Sequence, residues 1–184
     1  MRILGISGSL RRESHNRRLL LEAAELLPAG VELELFDGLK AIPPYDEDDD
    51  IEQAPEAVVE LREAIAGADA LLIATPEYNG SVPGQLKNAI DWASRPRAAA
   101  SLQGKPVAVI GASTGSFGGV WAQAEARRIL GTAGARVVQN EHAVPRAHER
   151  LSEHGRLVHD DHEQLEGLLE ALLVEIRPPV AVAA

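Results

Sequence analysis

The chain has 184 residues, of which 45% are hydrophobic and 25% are charged, and its formal net charge is −10. This size and composition suit one folded domain, and the acidic balance argues against a nucleic-acid partner because duplex binding needs a basic surface. The absence of cysteine excludes disulfides, zinc–thiolate sites and thiol redox chemistry. No apolar run approaches the roughly 20 residues that span a bilayer, and no signal-peptide pattern opens the chain, so we expect a cytoplasmic protein without a membrane partner.

Short apolar runs alternate with segments of helical periodicity along the chain. Strands are predicted at 2–6, 31–36, 68–74, 105–111 and 135–138. Helices are predicted between these strands, and a last helix from Asp161 to Ile176. The alternation predicts an α/β fold whose parallel sheet is covered on both faces. It leaves two strand orders open, a flavodoxin-like one and that of a truncated dinucleotide-binding sheet. We expect one domain over residues 1–177 and a flexible tail over 178–184.

A distinctive loop, Gly5 to Asn16, joins the first strand to the first helix. Gly8 permits a sharp turn, and Arg11 offers a guanidinium fork that suits a phosphate. Ser14 or Asn16 could cap the helix, whose N-terminal amides form an anion site. The loop lacks both the Gly-Lys-Ser/Thr of a Walker A motif and the glycine spacing of the dinucleotide fingerprint. It therefore predicts a phosphate site, with an ordinary capped turn as the alternative.

Two further loops follow the third and fourth strands. The first, Thr75 to Gly84, carries the flat ring of Tyr78, and backbone amides around Glu77 to Asn79 could bind the polar edge of a heterocycle. The second, Gly111 to Gly119, has four glycines that permit close approach to a flat ligand. Ligands of an open α/β sheet bind beyond the carboxyl ends of the strands, which is where all three loops fall.

Several residues in these segments invite other interpretations. We expect Glu77 to make a loop-stabilising hydrogen bond rather than to act as a general base, and His15, which has no evident partner, to lie at the surface. Ser113 fits the letters of a G-x-S-x-G nucleophile elbow, and histidines follow it, so a hydrolase stays a minor alternative. The acidic runs Asp46–Asp50 and Asp160–Asp161 are interpreted as solvated loops, and no metal site is predicted.

Taken in order and spacing, the motifs of residues 1–135 resemble those of the NADPH-dependent FMN reductase family, flavodoxin-like proteins that include quinone, azo-dye and chromate reductases. The resemblance rests on Gly8-Ser9-Leu10-Arg11 with Ser14 and Asn16, Pro76-Glu77-Tyr78-Asn79, Val82-Pro83-Gly84, Leu86 to Trp92, and Gly118-Gly119. It implies a flavodoxin-like three-layer sandwich, with a five-stranded parallel sheet of order 2-1-3-4-5 and helices on both faces. It also implies non-covalent FMN and NADPH or NADH as co-substrate.

The resemblance assigns a set of cofactor-binding residues by position. The predicted residues are Ser9, Leu10, Arg11, Ser14, His15, Asn16, Pro76, Glu77, Tyr78, Asn79, Ser113, Thr114 and Gly115. Within that set, Ser9, Arg11, Ser14 and Asn16 would surround the FMN phosphate. The residues of 76–79 would contact the isoalloxazine ring and ribityl chain, and those of 113–115 would border the ring. Relatives often carry a hydroxyl residue near Ala112, so one side-chain contact could be missing there.

The activity implied by the resemblance is a two-step exchange. A reduced nicotinamide gives hydride to the flavin and leaves, and a quinone-like or other small acceptor then takes the electrons from the same face. No side chain need be an acid, base or nucleophile, so no catalytic residue is predicted. The alternatives are a flavodoxin-like FMN electron carrier without its own nicotinamide oxidase activity and a binding module whose cofactor site has decayed.

Three finer properties stay open at this point. The acceptor could be a quinone, a free flavin, an azo dye or a metal oxyanion. A basic contact to the 2′-phosphate of NADPH could come from Arg11, Arg12, Arg17 or Arg18. The resemblance implies a homodimer or homotetramer with the helix around Leu86 to Trp92 near subunit contacts, although burial of Trp92 in the monomer core is an equal alternative.

Overall fold

A computed structural model describes residues 1–50, 54–151 and 157–176 of the chain. Residue 177 and the predicted tail over 178–184 lie outside the described residues. The strands are β1 (Arg2–Ser7), β2 (Glu32–Leu35), β3 (Ala70–Ala74), β4 (Pro106–Ala112), β5 (Arg136–Val137) and β6 (His142–Val144). The helices are α1 (His15–Glu25), α2 (Glu56–Gly67), α3 (Gly84–Ala93), α4 (Val120–Thr132), α5 (Ala147–Arg150) and α6 (His159–Ile176). Short 3-10 turns occupy Gly38–Ala41, Glu47–Asp49 and Arg97–Ala99.

The sheet has the order β2-β1-β3-β4-β5, and every strand pair in it is parallel. This confirms the flavodoxin-like order and places the acidic strand β2 at an edge. All residues of β3 and β4 are buried, as their continuous apolar runs predict for central strands. The core divides into two layers, with α2, α3 and α4 packed on one face of the sheet and α1 and α6 on the other.

The fifth strand position is more complex than predicted. Strand β5 pairs with the start of β4 and ends at Val137, and β6 then pairs with the end of β4 through His142 opposite Ile110. The two short strands thus share one edge of β4. Residues 139–141 between them are exposed and polar, so the chain leaves the sheet there and returns. The prediction of one strand over 135–138 missed β6. The end of the third loop packs against this strand.

Residues 36–50, which follow β2, are less of a surface loop than their Pro-rich, acidic sequence indicates. The Trp92 ring is fully buried, its Nε1 donates to the Pro43 carbonyl at 2.9 Å, and Tyr45 packs against it edge-on at 4.9 Å between centroids. Arg62 donates to the Trp92 carbonyl and pairs with Asp50 at 2.8 Å. Trp92 is therefore a core residue of the monomer, and Asp50 belongs to a sheltered ion pair rather than to a solvated run.

His142 on β6 is wholly buried, and neither ring nitrogen has a hydrogen-bond partner among the described residues. Burial lowers the pKa of His142 to about 4, and the nearby charge of Asp161 opposes that shift only in part. The unfolded chain, with an ordinary histidine pKa of about 6.5, binds a proton at a pH where the folded chain does not. The contribution of neutral His142 to the free energy of unfolding is therefore fully present above pH ~6.5 and is lost as the pH falls toward 4.

We expect the free energy of unfolding to fall by about 2 kcal/mol through His142 alone between about pH 7.5 and about pH 5. Urea unfolding at the two pH values measures this difference. His142→Leu should remove most of that pH dependence, while His148→Leu, at an exposed position, should keep it. A His142→Leu protein that loses as much stability on acidification as the parent would contradict the assignment.

Candidate functional site

The three predicted loops meet at the carboxyl ends of β1, β3 and β4 around a cleft of about 160 Å³. Ten of the predicted residues line it, namely Ser9, Arg11, Ser14, His15, Asn16, Pro76, Glu77, Tyr78, Ser113 and Thr114, and Ala112 lines it as well. Leu10, Asn79 and Gly115, which belong to the same predicted set, do not line the cleft. The structure thus brings together residues that lie up to about a hundred positions apart in the chain.

The first and second loops touch at Gly8. Its amide donates to the Ala74 carbonyl of β3 at 2.8 Å, which fixes the turn against the sheet. A Cβ added to Gly8 would lie 2.9 Å from the side chain of Leu86 and 3.3 Å from the ring of Pro76. Glycine is required here because the backbone approaches these side chains closely, and this approach brings the first loop against the start of the second.

Ser14 caps α1, which settles the choice between Ser14 and Asn16. The Ser14 hydroxyl accepts from the Arg17 amide at 3.3 Å, and the side chain is buried. The Ser9 hydroxyl accepts from the Arg11 amide at 3.4 Å. In the described part of the chain, the amides of Ser9, Leu10 and Arg12 donate to no protein atom. Free amides beside a helix N-terminus are the groups that bind a phosphate.

Four arginines surround this loop, but two of them are neutralised. Arg17 pairs with Asp37 at 2.5 Å, and Arg18 pairs with Glu13, also at 2.5 Å. Arg11 has no carboxylate partner among the described residues, and the same holds for Arg12. The cationic charge left for an anionic ligand therefore comes from Arg11, which lines the cleft, and from its neighbour Arg12.

His15 forms part of the cleft wall, together with other members of the predicted cofactor-binding set, and it is less exposed than a free surface residue. The ring is half-buried, and its Nδ1 is shielded without a hydrogen-bond partner among the described residues. Burial is the largest cause that lowers the pKa of His15, followed by the positive charges of Arg18 and Arg11. The shielding of Nδ1 could not be predicted from the sequence because it comes from the packing of distant segments. An unpartnered Nδ1 in the wall fits a site that takes a phosphate, since a bound anion would supply its partner.

Asn16 has a positioning role that its place in the motif does not reveal. Its Nδ2 donates to the Ala112 carbonyl at 2.9 Å, and its Oδ1 accepts from the Ala112 amide at 2.9 Å. The side chain is 2% exposed. The amide therefore joins the start of α1 to the end of β4 and aligns the first and third loops. The second hydrogen of the Asn16 Nδ2 remains free to donate to a ligand.

The second loop is held as a tight hairpin. The Tyr78 amide donates to the Ser81 carbonyl at 3.0 Å, and the Ser81 amide returns a bond of 3.2 Å to the Tyr78 carbonyl. Asn79 and Gly80 between them have φ values of 55° and 76°, the signature of a type I′ turn. The Tyr78 amide is thus used within the loop. The amides of Glu77 and Asn79 have no partner among the described residues and can bind a heterocycle edge.

Glu77 caps α4. Its carboxylate accepts from the Trp121 amide at 3.1 Å and from the Ala122 amide at 3.3 Å, in the first turn of that helix. This is the loop-stabilising hydrogen bond that the sequence predicts, although its partners in α4 could not be identified from the sequence. At the other end of the loop, the Ser81 hydroxyl donates to the Glu125 carboxylate at 2.5 Å. This hydrogen bond holds the pKa of the Glu125 carboxyl below its ordinary value.

We expect Glu77→Ala to lower the free energy of unfolding by about 1 kcal/mol, the usual cost of losing a helix cap. Glu77→Gln keeps an acceptor oxygen and should lose less. Chemical denaturation measures both, and Glu60→Ala, an exposed change on α2, serves as the control. Equal stability of Glu77→Ala and Glu60→Ala would show that the contact is not formed in solution.

The third loop turns back through Gly118 and Gly119, whose φ values are 62° and 80°. A Cβ on Gly118 would lie 2.8 Å from the carbonyl carbon of Ala143 on β6, so the loop lies flat against that strand. The Ser113 hydroxyl accepts from the Gly115 amide at 3.1 Å. In the described part of the chain no imidazole hydrogen-bonds to it, so the geometry gives no support to a Ser–His hydrolase.

A larger cavity lies elsewhere in the described part of the chain. It measures about 500 Å³ and is lined by α3 and the segment after it, including Lys87 and Arg95, and by the carboxyl-terminal half of α4, including Arg128. In a parallel α/β sheet the carboxyl ends of the helices face the opposite edge from the three loops.

Among residues 1–50, 54–151 and 157–176 there is no cluster of three or more acidic or histidine side chains that could hold a metal ion. The same part of the chain contains no helix long and apolar enough to cross a bilayer.

A flavodoxin-like sheet with three loops that meet at the carboxyl ends of β1, β3 and β4 is the architecture of a mononucleotide-binding α/β protein. The sequence pattern of the NADPH-dependent FMN reductase family matches residues 1–149. An NAD(P)H-dependent FMN reductase of Pseudomonas aeruginosa is 44% identical over 179 residues, 96% of each chain. The chain belongs to this family, and it is an oxidoreductase that uses FMN and a reduced nicotinamide.

Two more relatives extend the comparison. A 2-hydroxy-1,4-benzoquinone reductase of a Burkholderia species is 38% identical over 162 residues, which cover 88% of this chain and 87% of the relative. The flavoenzyme NAD(P)H:acceptor oxidoreductase of Paracoccus denitrificans has a solved structure with a TM-score of 0.85 at 36% identity, covering 95% of this chain and 96% of that one. The fold and the enzyme class that the motifs imply are confirmed.

Proposed function

We propose that the chain holds FMN non-covalently in the cleft, with the phosphate at the 8–16 loop. The observation that carries this proposal is the juxtaposition of Arg11, the shielded Nδ1 of His15 and the free amides of the loop at the capped start of α1. Each is a donor or a charge that lacks a partner in the described chain. A phosphate dianion satisfies all of them at once.

The flat ring of the cofactor extends from the cleft toward the second and third loops. The cleft of about 160 Å³ is smaller than the roughly 300–1,000 Å³ of a site that encloses a whole cofactor. It can therefore enclose the phosphate and ribityl end, while the isoalloxazine lies between Tyr78 and the 113–115 loop, with one face open. The free amides of Glu77 and Asn79 are the donors available to the polar edge of the ring.

Bound FMN supplies the redox chemistry, since it can take hydride from a nicotinamide and pass two electrons on. The chain's own residues bind and orient it. Arg11 neutralises the phosphate, Asn16 aligns the first loop with the third, and Glu77 fixes the second loop on α4. No acid, base or nucleophile is required, so no catalytic side chain is proposed.

The acceptor we propose is quinone-like, in keeping with the benzoquinone reductase among the relatives. We also propose a cytoplasmic homodimer or homotetramer with the outer face of α3 near subunit contacts. Trp92 takes no part in such a contact because it is fully buried in the monomer. Lys87 and Asp91, an ion pair at 2.8 Å, are half-exposed on α3 and are better placed for one.

Nicotinamide consumption with and without 1,4-benzoquinone tests the acceptor. The protein as purified with FMN should oxidise NADPH or NADH steadily when the quinone is present, and should form hydroquinone in equal amount. A flavodoxin-like carrier would bind FMN and show no such turnover. A flavin-loaded protein that reduces other small acceptors but not the quinone would contradict the quinone proposal while leaving the enzyme class intact.

A further inference from the structure

The chain has few aromatic rings, and they divide sharply by position. It contains two Trp, two Tyr and two Phe, all in the described residues. Trp92 is buried in the core, and the partly buried rings of Tyr45 and Phe36 pack against the same core cluster. The other three, Tyr78, Phe117 and Trp121, are 48%, 61% and 53% exposed. Every ring that is not used for packing therefore stands on the second loop, the third loop or the first turn of α4.

Phe117 and Trp121 contact each other at this rim. Their ring centroids lie 5.0 Å apart at an interplanar angle of 64°, an edge-to-face pair exposed to solvent. Two large exposed rings in contact form a contiguous apolar patch, and such a patch on a protein surface can mark a binding site. Since neither ring lines the enclosed part of the cleft, the phosphate end of the cofactor does not cover them.

The backbone beneath this pair is fixed to the flavin-binding loop. The Trp121 amide donates to Glu77 at 3.1 Å, and one turn further along α4 Glu125 accepts from Ser81 and from the Val82 amide. Phe117 precedes Gly118, whose close approach to β6 fixes the other end of the loop. The two rings are thus carried on rigid backbone directly beside the Glu77–Tyr78 segment.

We propose that Phe117 and Trp121 form a stacking wall that binds planar aromatic acceptors beside the open face of the flavin. The inference rests on the proposed function, because it takes the isoalloxazine to lie between the second and third loops. A quinone is flat and apolar on its faces, so it gains from contact with exposed rings. An octahedral inorganic oxidant such as ferricyanide has no such face. The pair therefore selects among acceptors and does not take part in the chemistry.

The variants Phe117→Ala and Trp121→Ala test the wall in the FMN-loaded protein. We expect kcat/KM for 1,4-benzoquinone to fall about three- to tenfold in each, with less than about a twofold change for ferricyanide. Trp121→Phe keeps a ring and should retain most of the quinone activity. Leu21→Ala, at an exposed apolar position on α1, is the matched control and should change neither acceptor.

Direct binding provides a readout that does not need turnover. Hydroquinone, the reduced form of the acceptor, can be titrated calorimetrically into the oxidised protein, and the two alanine variants should bind it about three- to tenfold more weakly. Failure of the parent protein to turn over quinone would count against the proposed function. The binding comparison would still test whether Phe117 and Trp121 bind a planar acceptor. Equal losses of kcat/KM with benzoquinone and ferricyanide, or unchanged hydroquinone binding in the alanine variants, would overturn the proposed stacking wall. A variant that loses only its oligomeric state would also overturn it, since the rings would then be covered by a second copy.

Discussion

Arg11→Ala is expected to weaken FMN binding by about 10- to 100-fold, which is what the loss of a charge-assisted contact of about 1.5–3 kcal/mol produces. Arg11 lines the cleft and has no carboxylate partner among the described residues, whereas Arg17 and Arg18 are held by Asp37 and Glu13. Its guanidinium is therefore free to bind the phosphate. Removing it leaves the loop amides and His15, so binding weakens without being abolished.

The measurement is a fluorescence titration of the apoprotein with FMN and, separately, with riboflavin. The effect should be large for FMN and small for riboflavin, because riboflavin lacks the phosphate. Arg12→Ala provides the matched control, since it removes an equally unpaired charge one residue further along. If Arg12→Ala weakened FMN more than Arg11→Ala did, the phosphate contact would have to be reassigned to Arg12.

Asn16→Leu is expected to lower the free energy of unfolding by about 2–5 kcal/mol, the second large effect. The substitution removes both bonds to Ala112 and leaves a buried amide and carbonyl without partners, each at a cost of about 1–3 kcal/mol. It also frees the start of α1 from the end of β4. We therefore expect lower FMN occupancy in the protein that still folds.

Urea unfolding of the apoprotein separates this structural role from ligand binding. Asn140→Leu, at an exposed position between β5 and β6, should change stability little and controls for the loss of an amide. A normal unfolding free energy for Asn16→Leu, combined with loss of FMN, would instead make Asn16 a direct ligand. That result would restore the role that the family resemblance assigns to it.

The parts of the fold that could be predicted from sequence were those in which local pattern and burial coincide. Strands β3 and β4 are apolar throughout because both faces are covered, and β2 alternates because it lies at an edge. The flavodoxin-like order itself came from the family motifs, since the alternation of strands and helices left two orders open. The sheet then brings the three loops to one edge, as parallel topology requires.

The parts that could not be predicted depend on contacts between distant residues. Strand β6 is three residues long and contains a histidine, so no local pattern marks it; its pairing with β4 creates it. Nothing near Asn16 in sequence indicates that its amide binds Ala112, and nothing near Glu77 indicates a cap on α4. The partial burial of His15 could not be predicted for the same reason. Short-range reasoning identified the residues of the cleft but not the partners that align them.

Trp92 illustrates how the structure decides between two interpretations of one residue. Its position in a family motif near subunit contacts and its apolar character fit either an interface or a core. The hydrogen bond from its Nε1 to Pro43 and its contact with Tyr45 depend on the segment between β2 and α2, which has no helical or strand pattern. The core role follows from that long-range packing.

Anaerobic reduction followed by reoxidation tests the central claim most directly. The purified protein, loaded with FMN and separated from free flavin, should show a visible flavin absorption band that bleaches on addition of NADPH or NADH. Adding 1,4-benzoquinone without oxygen should then restore the band, with one nicotinamide consumed for each quinone reduced. A protein that retains no FMN, or whose bound flavin stays oxidised in excess nicotinamide, would contradict the account.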